Sequence, residues 1–131
     1  MRGRQPRTAI DAALKVAWAR GFVTLCQRGR GSVCHFMIHE ENYTAVIQVQ
    51  RCRRLHGSVA DMEFECQKPI AQIKIIPQGL CRSLEVWACS PRGVLRFFRI
   101  TGTGLIELRK NGEPMNTNGG TASGAPGVGG T

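Results

Sequence analysis

At 131 residues the chain can build one domain with a sizeable core but not two, and its 42% hydrophobic content falls in runs too short for a membrane-spanning helix, so no membrane segment is predicted. Eighteen Lys and Arg against nine Asp and Glu give a formal charge of +9, and fourteen of the eighteen are arginine, the side chain suited to bidentate contact with phosphate. That balance favours a polyanionic partner over a merely solvated basic surface, and disfavours anionic membranes because no helical stretch pairs a basic face with a large apolar one.

The opening "MRGRQPR" is basic but is followed by the amphipathic "TAIDAALKVAWAR", with no continuous apolar region or cleavage site, which predicts a cytoplasmic protein. A helix is expected from Thr8, with a capping-box-like "TAID", to Gly21, burying Ile10, Leu14 and Trp18. Three strand-like segments follow, Phe22 to Arg28, Ser32 to His39 and Tyr43 to Arg51, separated by Gly29 and Gly31 and by the polar turn "EEN". These read as an antiparallel meander. A second helix opens at "SVAD", Ser58 to Asp61, with apolar positions Val59, Met62, Cys66, Ile70 and Ile73, and periodicity across Pro69 predicts a kink there rather than a stop. "LEVWACS" (Leu84 to Ser90) and "VLRFFRI" (Val94 to Ile100) then form a hairpin through Pro91 to Gly93. The domain is expected to cover residues 1–109, and the Gly/Thr/Asn-rich stretch 110–131 to be a disordered tail.

The six cysteines include no C-x-x-C pair and form no finger pattern with His35, His39 and His56, so they read as small core residues rather than disulfide or metal partners. A metal site from Cys34, His35 and His39 is disfavoured because adjacent strand residues point to opposite faces.

The predicted order α-β-β-β-α-β-β, with "ARGF" leading into the first strand and "LEVWACSPRGVLRFFRI" as a closing hairpin, resembles the PD-(D/E)xK nuclease superfamily over Thr8 to Ile100, especially its archaeal Holliday-junction-resolvase-like members. The resemblance implies an α/β (α+β) fold with a restriction-endonuclease-like core, a mixed central sheet flanked by helices. It also places His35 at the family's Asp position, Gln48 at its acidic position and Gln50 at its lysine position. In such nucleases two carboxylates hold the divalent cation that activates water, and a His, Gln, Gln set brings none of that charge, so the motif reads as degenerate with no metal and no cofactor. Mg²⁺ enters only if carboxylates such as Glu40, Glu41, Glu63 or Glu65 have relocated to make an active endonuclease. A plainer reading keeps Gln48 and Gln50 as hydrogen-bonded polar residues of a sheet face.

Arg28 and Arg30 flank the first glycine-rich turn, Arg51, Arg53 and Arg54 follow the glutamine strand, and Arg92 sits in the closing hairpin, so this set is the candidate phosphate-binding track. Arg96 and Arg99 have opposite strand parity and should not share a face. With only eight aromatic residues, most expected in the core, recognition by base stacking is disfavoured. The expected function is nucleic-acid binding, to duplex or branched DNA, without cleavage; an active endonuclease and a protein-interaction subunit, acting as a homodimer or with a partner protein, are the alternatives.

Overall fold

A computed structural model describes residues 7–26, 34–55, 57–77, 79 and 82–115. The elements run α1 (Arg7–Arg20), β1 (Phe22–Leu25), β2 (Phe36–His39), β3 (Thr44–Arg51), α2 (Val59–Glu65), α3 (Gln67–Ile73), β4 (Arg82–Cys89), β5 (Leu95–Thr101) and β6 (Gly104–Leu108). The six strands form one sheet in the order β1-β2-β3-β4-β5-β6. Every neighbouring pair is antiparallel except β3 and β4, which run parallel in the register Thr44↔Arg82 to Arg51↔Cys89. A parallel pair needs a long crossover, and α2 and α3 supply it. The result is a mixed α/β fold with a central mixed sheet flanked by helices.

Covered on both faces, β3 and β4 are almost wholly buried, and this accounts for their near-continuous apolar sequence. On one face Ala9, Ala13 and Ala17 of α1 pack on Ala45, Ile47, Val49, Trp87 and Phe97. On the other, Met62, Cys66, Ile70 and Ile73 of α2 and α3 cover Val46, Leu84, Val86, Phe98 and Ile100. The buried stripe of α1 is therefore alanine, not the Ile10–Leu14–Trp18 row that spacing suggested. Phe36, Trp87 and Phe97 fill the sheet side with rings, so the helix contributes small side chains that let its backbone approach closely, while Ile10 and Leu14 pack at the flanks. Trp18 is left 56% exposed.

The turn out of α1 requires glycine. A Cβ on Gly21 would stand 2.7 Å from the His39 carbonyl oxygen, because β1 enters the sheet one residue later and pairs Phe22 with His39. Helix α1 then folds back over the sheet, with its first residues toward the end of β3.

The second helix divides at Cys66, three residues before the expected kink. Pro69 thus lies in the first turn of α3, where its missing N–H removes no intrahelical bond, and Ile70 still bonds back to the Cys66 carbonyl at 3.0 Å. The expected element order omits β6, which pairs with β5 from Thr101↔Gly104 to Phe97↔Leu108. The chain keeps contact with the sheet past residue 109: Pro114 bridges Leu108, and the Gly112 carbonyl accepts from Arg99 at 3.1 Å. Residues 116–131 of the expected tail lie outside the described residues.

The cysteine expectation needs one correction. Cys26 and Cys34 form a disulfide, with Cα atoms 6.2 Å apart. Spacing arguments missed it because the pairing is set by sheet geometry: the end of β1 lies beside the start of β2, and the Cys26 N–H donates to the His35 carbonyl at 3.1 Å. The bridge sits awkwardly with the cytoplasmic expectation, since reducing compartments keep most thiols free. Cys52, Cys66 and Cys89 are buried free thiols, as expected. No described helix is long and apolar enough to cross a membrane.

Candidate functional site

The two glutamines on β3 have separate partners. Gln48, 8% exposed, lies beneath α3, and its Nε2 donates to the Gln72 Oε1 at 2.9 Å. That bond gives the Gln48 amide a partner where an unpaired polar group would be costly, so the plain sheet-face reading describes Gln48 well. Gln50, nearer the strand end, donates from Nε2 to the Arg51 carbonyl at 3.0 Å.

His35 stands one residue before β2 and beside the glutamine strand. Its backbone N–H donates to the Ile47 carbonyl at 2.8 Å, and its Nδ1 accepts from the Val49 N–H at 2.9 Å. That lone pair is committed to the backbone and is not available to a metal. His35, Gln48 and Gln50 are thus near one another, but the buried Gln48 is covered by a helix and does not line an open groove.

Of the carboxylates offered as relocated ligands, Glu40, Glu41 and Glu63 are dispersed, whereas Glu65 lies close enough to Cys52, the residue after Arg51, to act on its thiol. Glu40 binds Arg20 at 2.7 Å, and Glu41 lies in the β2–β3 turn, at the opposite end of the sheet from Arg51. Glu63 rests over Gly104 of β6, three strands from β3, or about 14 Å at roughly 4.8 Å per strand. Among the described residues no three His, Cys, Asp or Glu side chains are grouped to hold a metal ion. The buried free thiols differ: a hydrogen bond with Cys52, together with burial, pushes Cys66 well above the usual thiol range, burial pushes Cys89 up, and the hydrogen bond with Cys66 lowers Cys52 against the opposing effect of its own burial.

Several expected arginines do come together. Arg51 ends β3, the Cys52 N–H donates to the Cys89 carbonyl at 2.8 Å, and the β4–β5 turn carrying Pro91 and Arg92 follows directly. Arg51, Arg53 and Pro91 line one shallow hollow of about 250 Å³ at this edge. Arg51, Arg53, Arg54 and Arg92 are all exposed, and none has an ion-pair partner among the described residues. Arg28 and Arg30 lie outside the described residues. Exposed guanidiniums at one end of a sheet, with no ion-pair partner among the described residues, can bind phosphates.

Other arginines are spent on structure. Arg96 pairs with Glu107 at 2.6 Å and lies over the Phe98 ring, whereas Arg99 points to the opposite face and donates to the Ser83 Oγ and the Gly112 carbonyl, as strand parity requires. The sequence reading missed a buried charge network altogether. Glu85, 0% exposed, accepts from Arg20 Nη1 at 2.9 Å, Ser83 Oγ at 2.9 Å and Trp87 Nε1 at 3.0 Å, while Arg20 also grips Glu40 and donates to the Tyr43 hydroxyl. A Cβ on Gly112, which has φ +90°, would come within 2.7 Å of this guanidinium, so the C-terminal loop closes over it. The signal was present in "LEVWACS": a lone carboxylate in a strand buried on both faces demands a cation, and Arg20 beside Gly21 supplies it.

Comparisons with protein families, with characterised proteins and with solved structures return no match for this chain.

Proposed function

We propose that this chain binds duplex or branched DNA through backbone phosphates and does not cut it, using a restriction-endonuclease-like core. One observation carries the reading: Arg51, Arg53, Arg54 and Arg92 lie exposed at one end of the sheet without an ion-pair partner among the described residues. Such a cluster repels itself unless an anion joins it, and phosphate matches the guanidinium fork. The core assignment draws on element order. An antiparallel β1-β2-β3 meander, a helical crossover and a parallel β4 are consistent with that nuclease core, though other mixed folds share them.

The absence of cleavage follows from the chemistry of the motif positions. Gln48 is buried and bonded to Gln72, His35 is bonded to Val49, and neither brings the negative charge that fixes Mg²⁺ beside a scissile phosphate. Phe36, Trp87, Phe97 and Phe98 are core residues, and of the exposed rings Trp18, Phe22 and Phe64 the first two lie near the far end of the sheet from Arg51, so duplex backbone fits the arginine end better than a row of stacked single-strand bases. The protein-interaction alternative has an observation of its own: β1 is an open edge strand, with Phe22 and Leu25 about two-thirds exposed beside Trp18.

The test is fluorescence anisotropy with labelled duplex and four-way-junction DNA in Mg²⁺ and then Mn²⁺, followed by a denaturing gel of the same samples. The proposal expects saturable binding and intact strands. Metal-dependent cuts lost in Glu63→Gln or Glu65→Gln would install the endonuclease alternative, and no binding to either DNA would leave the edge-strand interaction as the better reading.

A further inference from the structure

At the sheet end where β2 stops and β4 begins, three polar side chains stand in one row. His39 pairs with Thr44 in the antiparallel β2–β3 register, and Thr44 with Arg82 in the parallel β3–β4 register, so all three leave the same face of neighbouring strands spaced roughly 4.8 Å apart. That face is the one α2 and α3 cover: two residues inward on the same strands, Met37, Val46 and Leu84 pack in the helices' core cluster. Beyond this cover lies an open hollow of about 510 Å³, within the size range of small-molecule sites. Its described lining is Met37, His39, Thr44, Gly79 and Arg82, with no residue of either helix. The geometry points to a binding site here for a small aromatic carboxylate. It does not depend on the nucleic-acid reading: Thr44 and Arg51, at the two ends of β3, are about 23 Å apart at roughly 3.3 Å per residue.

Arg82 supplies the anion-binding group. Its Nη1 donates to the Pro77 carbonyl at 2.6 Å, which anchors the guanidinium and leaves the edge formed by Nε and Nη2, the edge that meets both oxygens of a carboxylate, without a partner among the described residues. No described carboxylate is in ion-pair range of it. The Thr44 hydroxyl beside it likewise has no hydrogen-bond partner among the described residues and can donate to the same carboxylate. Glu40 is held by Arg20 at 2.7 Å, and Glu41 does not line the hollow. Arg82 is the one permanent cation in the described lining, because Arg99 shares the opposite, α1 face with Phe97. A single cation suits a monoanion, and this selects a carboxylate over a phosphate monoester.

His39 and Met37 define the other end. The His39 Nε2 shares a 2.7 Å hydrogen bond with the Thr24 Oγ1, and its ring lies 6.0 Å from that of Phe22, so the imidazole is fixed on the sheet face. From Arg82 to His39 the row spans two strand spacings, about 10 Å, which accommodates a carboxylate followed by one ring. With its carboxylate on Arg82 and Thr44, such a ring meets the imidazole at its far end and the half-buried Met37 thioether beneath, both favourable partners for a flat π face. Arg82 and His39 are held before the ligand arrives and so lose less side-chain entropy on binding it.

The experiment is a two-dimensional ¹⁵N NMR titration of the whole chain with benzoate, acetate, inorganic phosphate and benzyl alcohol. Saturable shifts at His39, Thr44 and Arg82 are expected with benzoate, weaker binding with acetate and phosphate, and no saturation with benzyl alcohol. Arg82 is exposed and bonds only a loop carbonyl, so Arg82→Gln should fold normally and weaken benzoate binding roughly tenfold. Thr44→Val keeps a β-branched side chain in the strand, removes the hydroxyl, and should weaken benzoate binding about threefold. The proposal is overturned by shifts that centre on Arg51, Arg53 and Arg92, by acetate or phosphate binding as tightly as benzoate, by no saturation up to about 10 mM benzoate, or by an unchanged affinity in Arg82→Gln.

Discussion

Replacing Glu85 by glutamine should cost this domain a large part of its stability. The carboxylate is 0% exposed and receives Arg20 through both oxygens, at 2.9 and 3.2 Å, together with Ser83 and Trp87. Glutamine keeps one acceptor oxygen and turns an NH₂ toward donors that need an acceptor. It also leaves the 2%-exposed Arg20 side chain with only Glu40 to balance its charge. Breaking a buried pair by removing one partner costs about 3–5 kcal/mol, against a total of about 5–15 kcal/mol for a domain of this size. At about 4 °C per kcal/mol that is a fall in Tm of roughly 12–20 °C, read by circular dichroism. Glu40 is more exposed at 18%, so Glu40→Gln should cost about 1 kcal/mol. Burial alone would lower the Arg20 pKa, but hydrogen bonds and attraction from Glu85, then Glu40, outweigh it and raise the value above the ordinary arginine range. A cation whose folded pKa is raised contributes stability below its unfolded value and loses it only as pH rises through the folded one, so the Arg20 contribution persists at every pH used for handling the protein. A Glu85→Gln loss below about 1 kcal/mol, or one no larger than that of Glu40→Gln, would refute the network as a stabilising unit.

Three further outcomes follow from the same geometry. Tyr43 is the sole tyrosine, and burial first, partly opposed by Arg20, raises its pKa; ultraviolet titration should therefore place its midpoint above the free value of about 10, with the neutral form's contribution to stability lost as pH rises through that midpoint, and a midpoint at or below 10 would contradict it. Peptide mapping without reductant should join the peptides holding Cys26 and Cys34, and reduction should cost about 2–3 kcal/mol for a loop of this length; two separately alkylated cysteines would show the bridge is not formed. Gln48→Leu should cost about 0.5–1.5 kcal/mol in urea denaturation while leaving DNA affinity unchanged, because Gln48 faces α3; a loss of affinity at equal stability would return it to the binding site.

Much of the fold was legible because its signals are local. The β1–β3 meander and the β4–β5 hairpin declare themselves by turns and alternation, and the row Met62, Cys66, Ile70, Ile73 does become the buried face of α2 and α3. The misses depend on distant neighbours. Alanine could line the inner face of α1 only because Trp87 and Phe97, some seventy or more residues later, already fill the space. The short β6 begins straight after a tight turn, where little beyond "GLIEL" marks it. At the site, the Arg51–Arg54 cluster could be read from chain adjacency, but spacing alone could not show that the amide of Gln48 meets Gln72. Nor could it foresee that Glu85, opposite Arg99 in register, would turn to Arg20 instead.

The most direct test of the central claim is the salt dependence of duplex DNA binding, measured for the wild type and for Arg51→Ala, Arg53→Ala and Arg92→Ala. Each of these exposed guanidiniums that neutralises a phosphate releases counterions and adds about −0.9 to the slope of log affinity against log salt. Each single replacement should flatten that slope by about one unit, whatever the DNA sequence. Parallel lines for all four proteins would mean that these arginines are solvated surface charges and that the sheet end they occupy is not where DNA binds.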